Sequence, residues 1–119
     1  MVLKDSMFSI RSEEALTTHI ELHADHPIYQ AHFPGNPITP GVCIVQMIGE
    51  LAERQVGHSL ILCKIANLKF LAPVSPTSNP VIDIIFTSID QEDNDVKTKG
   101  TIMADDKPMT KFSVVFRKR

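Results

Sequence analysis

Apolar and polar positions alternate along much of this chain with a period of two, and they abandon that period once. From Ala15 to Ala24, Leu16, Ile20 and Leu22 fall on one side while Thr17, His19, Glu21 and His23 fall on the other. This is the pattern of a half-buried strand. A second extended run, Ser59 to Leu71, is long and mostly apolar and stops at the Pro73–Pro76 turn. Val81 to Ile89, Val96 to Ala104 and Thr110 to Lys118 complete the strand set. Polar connections at Asp90–Asp95 and Asp105-Asp106-Lys107-Pro108 separate them. In the last strand Phe112, Val114 and Phe116 point inward, against Lys111, Ser113 and Arg117. Short polar links between long strands predict antiparallel neighbours.

The exception lies between Pro40 and Val56, where the spacing predicts a helix with Gly57 as its stop. Its first half, Val42 to Ile48, is apolar on every side except at Gln46. A helix apolar all round is a buried one. Its second half turns polar with Glu50, Glu53, Arg54 and Gln55. One buried helix and five or six antiparallel strands predict an α+β domain in which a curved sheet wraps the helix. One sheet does not enclose such a helix completely, so a homodimer or larger assembly is expected.

Length and composition narrow the class without changing this picture. At 119 residues the chain, 1–119, is expected to form one domain, with no internal repeat or linker. A formal charge of −2, with no basic run beyond Arg117-Lys118-Arg119, argues against a nucleic-acid surface. No apolar stretch approaches the ~18 residues of a membrane span, and Lys4, Asp5 and Arg11 interrupt any signal-peptide core. Cys43 and Cys63 both sit in apolar stretches, which predicts reduced, buried thiols and a cytoplasmic location.

The candidate chemistry lies just before the helix and at its start. His32-Phe-Pro-Gly-Asn-Pro-Ile-Thr-Pro-Gly-Val-Cys-Ile-Val-Gln46 joins an imidazole to a loop stiffened by three prolines. Thr39 suits the N-cap and Pro40 the first helical position. Gly41 leaves backbone N–H groups open to a ligand at the positive end of the helix dipole. An imidazole beside such a helix start is an outline of acyl chemistry. The other histidines carry no such constellation. His19 and His23 are about 13 Å apart on a strand, at roughly 3.3 Å per residue, too far to share a metal. They read as a solvated face. His26 and His58 flank loops, and the aspartate clusters have turn spacing, so no metal is expected.

The ten residues His32-Phe33-Pro34-Gly35-Asn36-Pro37-Ile38-Thr39-Pro40-Gly41 resemble the signature of the hotdog-fold 3-hydroxyacyl-[acyl-carrier-protein] dehydratases at every fixed position. Lys69-Phe70 followed by Pro73-Val74-Ser75-Pro76 is similar to a second family segment, although Thr77-Ser78 replaces its usual Gly-Asp. The resemblance spans nearly the whole chain and implies the hotdog fold. It implies dehydration of a 3-hydroxyacyl thioester, on acyl carrier protein or coenzyme A, to the trans-2-enoyl product without a cofactor. His32 would be the catalytic base, the Gly41 amide would bind the thioester carbonyl, and the Ile38 carbonyl would hold the imidazole. Phe33 and Val42 would also bind the substrate. The acyl chain would lie along the apolar helix, entering between protomers. Arg11, Lys69, Lys111 and Arg117 are candidates for docking an acidic carrier.

One position departs. Gln46 stands where the family has its acid, and an amide does not deliver a proton. Glu50, one turn on, stands where relatives often carry Gln, so the pair looks exchanged. Gln46 is expected either to position substrate or to make a structural hydrogen bond. Glu50 is expected either to be the displaced acid or to be an ordinary polar residue of the helix. Two other readings stay open: a hotdog acyl thioesterase using Glu50, and a non-catalytic acyl-binding or heteromeric subunit lacking the acid.

Overall fold

A computed structural model describes residues 2–31 and 35–119. Six strands form one antiparallel sheet: β1 (Phe8–Glu14), β2 (Thr17–Leu22), β3 (Leu60–Phe70), β4 (Val81–Glu92), β5 (Asp95–Ala104) and β6 (Lys107–Lys118). Their order across the sheet is β1-β2-β4-β5-β6-β3. A short helix α1 (Pro27–Ala31) and the long helix α2 (Gly41–Val56) fall between β2 and β3. This is the hotdog arrangement expected from the sequence. Among the described residues, no helix is long and apolar enough to cross a membrane.

The alternation of the strands dictates the core. On β5, Val96, Thr98, Gly100, Ile102 and Ala104 are buried while the residues between them are not. Phe112, Val114 and Phe116 do the same on β6, as expected. They join Ile44, Met47, Ile48 and Leu51 of α2 in a single core. Phe112 meets Phe86 edge-on, with ring centres 5.8 Å apart. Gly100 makes room for that ring: a Cβ there would lie 2.5 Å from Phe112 Cζ and 2.1 Å from the Ile85 carbonyl oxygen. Asp105 and Asp106, with φ of 48° and 64°, form the tight two-residue turn of the last hairpin.

Helix α2 ends as predicted. Gly57 takes φ 68° and ψ 32° and donates its N–H to the Glu53 carbonyl. The helix start differs. Pro40 is the N-cap, no side chain caps it, and Thr39 lies one residue too early for that role. Sequence periodicity also missed α1 and β1. Helix α1 has only five residues, capped by His26 Nδ1, which accepts from the Ile28 N–H at 3.1 Å. Leu16, expected inside, sits 37% exposed beyond the start of β2, and Thr18 takes the inward position beside Ile20 and Leu22.

Strand β3 is an edge, hydrogen-bonded among the described residues to β6 alone. Ile61, Leu62, Ile65 and Phe70 are each about half exposed. Cys63 lies on the same strand and is exposed, contrary to the buried thiol expected; apolar neighbours in sequence do not bury a residue on an uncovered edge. Cys43 is buried, and burial pushes its thiol above the ordinary value, which suits a core residue better than a nucleophile.

Candidate active site

The helix start is built to present backbone donors. The Cys43 and Ile44 amides both donate to the Pro40 carbonyl, at 3.0 and 3.1 Å. Among the described residues, the Gly41 and Val42 amides have no acceptor. These two N–H groups lie at the positive end of a 16-residue helix. The Phe70 ring packs over Gly41, and a Cβ on residue 41 would lie 3.1 Å from Phe70 Cζ. A side chain at 41 would therefore crowd both the ring and the approach to the amides.

Two hollows meet at this point. A groove of about 1220 Å³ runs between α2 and β3, with Gly41, Val45, Gln46 and Glu50 on one wall and Ile65 and Phe70 on the other. A smaller apolar cavity of about 390 Å³ lies toward Ile38, Ile44, Pro73 and Val74, and shares Gly41 and Phe70 with the groove. Val42 also lines the groove and is 69% exposed, so a helix read as buried all round leaves one face open in the single chain.

Gln46 and Glu50 are brought together in the groove. The Gln46 Nε2 donates to Glu50 Oε2 at 2.9 Å. The same oxygen accepts the Leu3 amide at 2.8 Å, and Oε1 accepts the Lys4 amide at 2.8 Å. Glu50 is only 9% exposed, so it is not an ordinary solvated residue of the polar half of the helix. Every partner is an N–H donor, and a buried carboxylate with these partners is well satisfied as an acceptor. Gln46 lies five residues beyond Gly41 and Glu50 nine. At 1.5 Å per residue these are about 7.5 and 13.5 Å along the axis. Gln46 is thus the nearer of the two to anything held at the helix start, and Glu50 stands behind it.

A second polar contact ties the loop to the helix start. The hydroxyls of Tyr29 and Thr39 share a hydrogen bond of 2.9 Å. The two residues are 1% and 4% exposed. Burial raises the Tyr29 phenol above its ordinary value, with the Thr39 hydrogen bond acting the other way. The Thr39 amide donates to the Val74 carbonyl at 2.7 Å. His32 and Phe33 lie outside the described residues.

The remaining candidates fall elsewhere. His19 hydrogen-bonds Asp83 across β2 and β4. His23 is held by the Ser6 carbonyl at 2.9 Å and the Ser9 hydroxyl at 3.1 Å. Neither is simply a solvated face residue. Among the carrier-docking candidates, Arg117 pairs with Asp95 at 3.0 Å and Arg11 approaches Glu21 at 3.9 Å. Lys69 and Lys111 stand directly opposite each other in register, with no carboxylate partner among the described residues. Sequence reasoning assigned no role to Tyr29, the chain's single tyrosine, or to the Leu3 and Lys4 amides. A lone tyrosine three residues before His32 was a usable signal; backbone donors leave none.

Comparison with known proteins bears on this geometry. The family profile described as ApeI-like, ApeI dehydratase, matches residues 9–110. The chain is similar to the 3-hydroxyacyl-[acyl-carrier-protein] dehydratase FabZ of Lactobacillus helveticus. The two are 26% identical over 123 residues, covering 98% of this chain and 82% of that protein. It is also 26% identical over 96 residues to the bifunctional enzyme LpxC/FabZ of Chlorobaculum tepidum, covering 74% of this chain but only 21% of that longer enzyme. Among solved structures, the dehydratase heterocomplex ApeI:P of Xenorhabdus doucetiae shares the fold. Its TM-score is 0.60 at 17% identity, over 91% of this chain and 93% of that one. A thioesterase of Haemophilus influenzae does so with a TM-score of 0.67 at 17% identity, over 97% and 80% of the two chains.

Proposed function

The chain belongs to the ApeI-like dehydratase family, and from that premise we propose that it eliminates water from a 3-hydroxyacyl thioester in acyl-chain biosynthesis. The observation that carries this reading is the pair of amides at Gly41 and Val42, without an acceptor among the described residues, opening between an apolar groove and an apolar cavity. A thioester carbonyl placed there meets donors where its oxygen gains charge as the α-proton leaves. The hollows on either side accommodate an acyl chain and a pantetheine arm.

In this reading His32 is the base and takes the C2 proton, a transfer suited to imidazole near neutral pH. Electrons move into the C2–C3 double bond, the C3–O bond breaks, and the hydroxyl leaves as water with the proton that the imidazole returns. Gln46 orients the departing hydroxyl. Glu50 acts through Gln46 by fixing its amide, and it anchors the N-terminal segment through Leu3 and Lys4. Ile38, Phe33 and Val42 bound the substrate. An acyl carrier protein is the favoured thioester, because the Lys69–Lys111 pair, without a carboxylate partner among the described residues, offers an acidic partner two cations. A second chain on the open groove and bare β3 edge completes the enclosure as a homodimer. Two unpaired cysteines fit a cytoplasmic setting.

The test is turnover of a 3-hydroxyacyl thioester by the purified chain, followed as the enoyl product. His32→Ala is expected to lower kcat by at least about 10². A loss of less than tenfold removes His32 from the base role. Release of free thiol in place of enoyl product would mark a thioesterase. One observation favours a second reading: the uncharged Gln46 at the usual acid position. A heteromeric subunit would turn over substrate only after a competent partner chain is added.

A further inference from the structure

The outer face of the sheet carries an arrangement that folding alone disfavours. Lys69 of β3 and Lys111 of β6 are cross-strand partners, so their Cβ atoms lie about 5 Å apart on one face. Like charges placed directly opposite repel. Among the described residues, neither lysine is paired with a carboxylate. Thr110 and Phe112 are buried on either side of Lys111, which turns the lysines outward. The same row continues to Thr101 on β5 and Ile85 on β4. The next outward row pairs Ser88, Lys99, Ser113 and Asn67. These two rows contain three lysines and no acid, and Thr101, Ser113 and Asn67 add hydroxyl and amide donors.

This cationic patch lies beside the helix-start amides. Lys69 adjoins Phe70, whose ring packs over Gly41, and strand alternation sends the ring inward and the lysine outward. The smaller apolar cavity is lined from Gly41 past Phe70 to Leu71 and Ala72. Leu71 is 45% exposed, so this wall of the cavity reaches the surface two residues from Lys69. Strand β3 ends at Phe70. A ligand leaving the cavity there has only the end of one strand to pass before it meets both ammonium groups.

We infer that Lys69 and Lys111, supported by Lys99, bind the phosphate of the pantetheine arm while the thioester carbonyl rests on the Gly41 and Val42 amides. The inference rests on the proposed dehydratase reading and gives its substrate a second anchor. Phosphate oxygens accept from several ammonium groups at once, and their charge offsets the repulsion between the two lysines. A carrier protein's prosthetic arm and coenzyme A both carry phosphate at this point, so the patch recognises the arm rather than its bearer.

The test places one 3-hydroxyacyl chain on pantetheine, 4′-phosphopantetheine, coenzyme A and a holo carrier protein. In the unsubstituted chain, kcat/KM is expected to be at least about tenfold higher with the phosphorylated arm than with pantetheine, mainly through KM. Lys69→Met and Lys111→Met should each cut that preference by about threefold or more, and the double variant should nearly abolish it. Lys107→Met, about 13 Å away along β6 at 3.3 Å per residue, should keep it. A preference that survives the double variant overturns the inference, as does an equal loss in Lys107→Met. A loss confined to the carrier-protein thioester also overturns it, because the lysines then meet the carrier's own acidic surface. A second readout needs no turnover: backbone amide shifts of Lys69, Thr101, Lys111 and Ser113 on titration by NMR. 4′-Phosphopantetheine is expected to move them and pantetheine is not; equal shifts, or none with either, overturn the site. If the unsubstituted chain turns over none of the four thioesters, the dehydratase reading fails and the titration alone decides the phosphate site.

Discussion

Glu50 shows how much a single residue's role depends on its partners. Its sequence position suggested a displaced catalytic acid, yet its carboxylate faces three N–H donors and stands about a turn behind Gln46. A residue proposed to act through another is best tested with both. Gln46→Ala is expected to lower kcat about tenfold, and adding Glu50→Gln should lower it no further than about twofold. Glu50→Gln alone should also cost stability, about 1–3 kcal/mol, because a side-chain amide turns one N–H toward donors that need an acceptor. Denaturant titration and steady-state rates on the same variants separate the two effects. A loss in Glu50→Gln beyond about 10² in kcat, with Gln46→Ala near native, would return the proton-donor role to Glu50.

Among the elements, the pairing of β4 with β5 is held by the absence of a side chain. Phe86 and Gly100 are partners in that ladder, next to an irregularity between Phe86 and Ser88. The space over Gly100 is filled by the Phe112 ring. Gly100→Ala must move either the ring or the Ile85 carbonyl, and neither is the free end of a flexible side chain. It is expected to destabilise the fold by about 2 kcal/mol or more. Gly57→Ala, which meets no neighbour but must keep a left-handed backbone, should cost only about 1 kcal/mol. Chemical denaturation midpoints check the order of the two. A Gly100→Ala variant within about 0.5 kcal/mol of the parent would show that the packing relaxes more easily than the distances imply.

For the whole molecule, the uncovered edge bears on the proposed homodimer. An 11-residue edge strand with exposed Ile61, Leu62, Ile65 and Phe70 invites pairing with another chain. Light scattering is expected to give at least twice the chain mass of 13.3 kDa at micromolar concentration. Cys63, on that strand, should then react slowly with a thiol reagent and quickly once Ile65→Glu separates the chains. A 13.3 kDa species with a freely reactive Cys63 contradicts the assembly.

What the sequence determined by itself was local and periodic. The inward run of Phe112, Val114 and Phe116, the end of α2 at Gly57 and the Asp105-Asp106 turn all follow from spacing and backbone preference within a few residues. The motif from Pro37 to Gly41 was legible for the same reason, since its prolines and glycine shape the chain wherever it lies. Tertiary structure decided the pairings. Thr39, expected to cap the helix, lies one residue ahead of the N-cap and holds Tyr29 instead, since a buried phenol needs a partner. Cys43 and Cys63 sit in equally apolar stretches, yet one is buried and the other exposed, because only closure of the sheet defines its edge. Glu50 likewise owes its acceptor role to the amides of Leu3 and Lys4, more than forty residues away, and backbone donors carry no signature in side-chain identity.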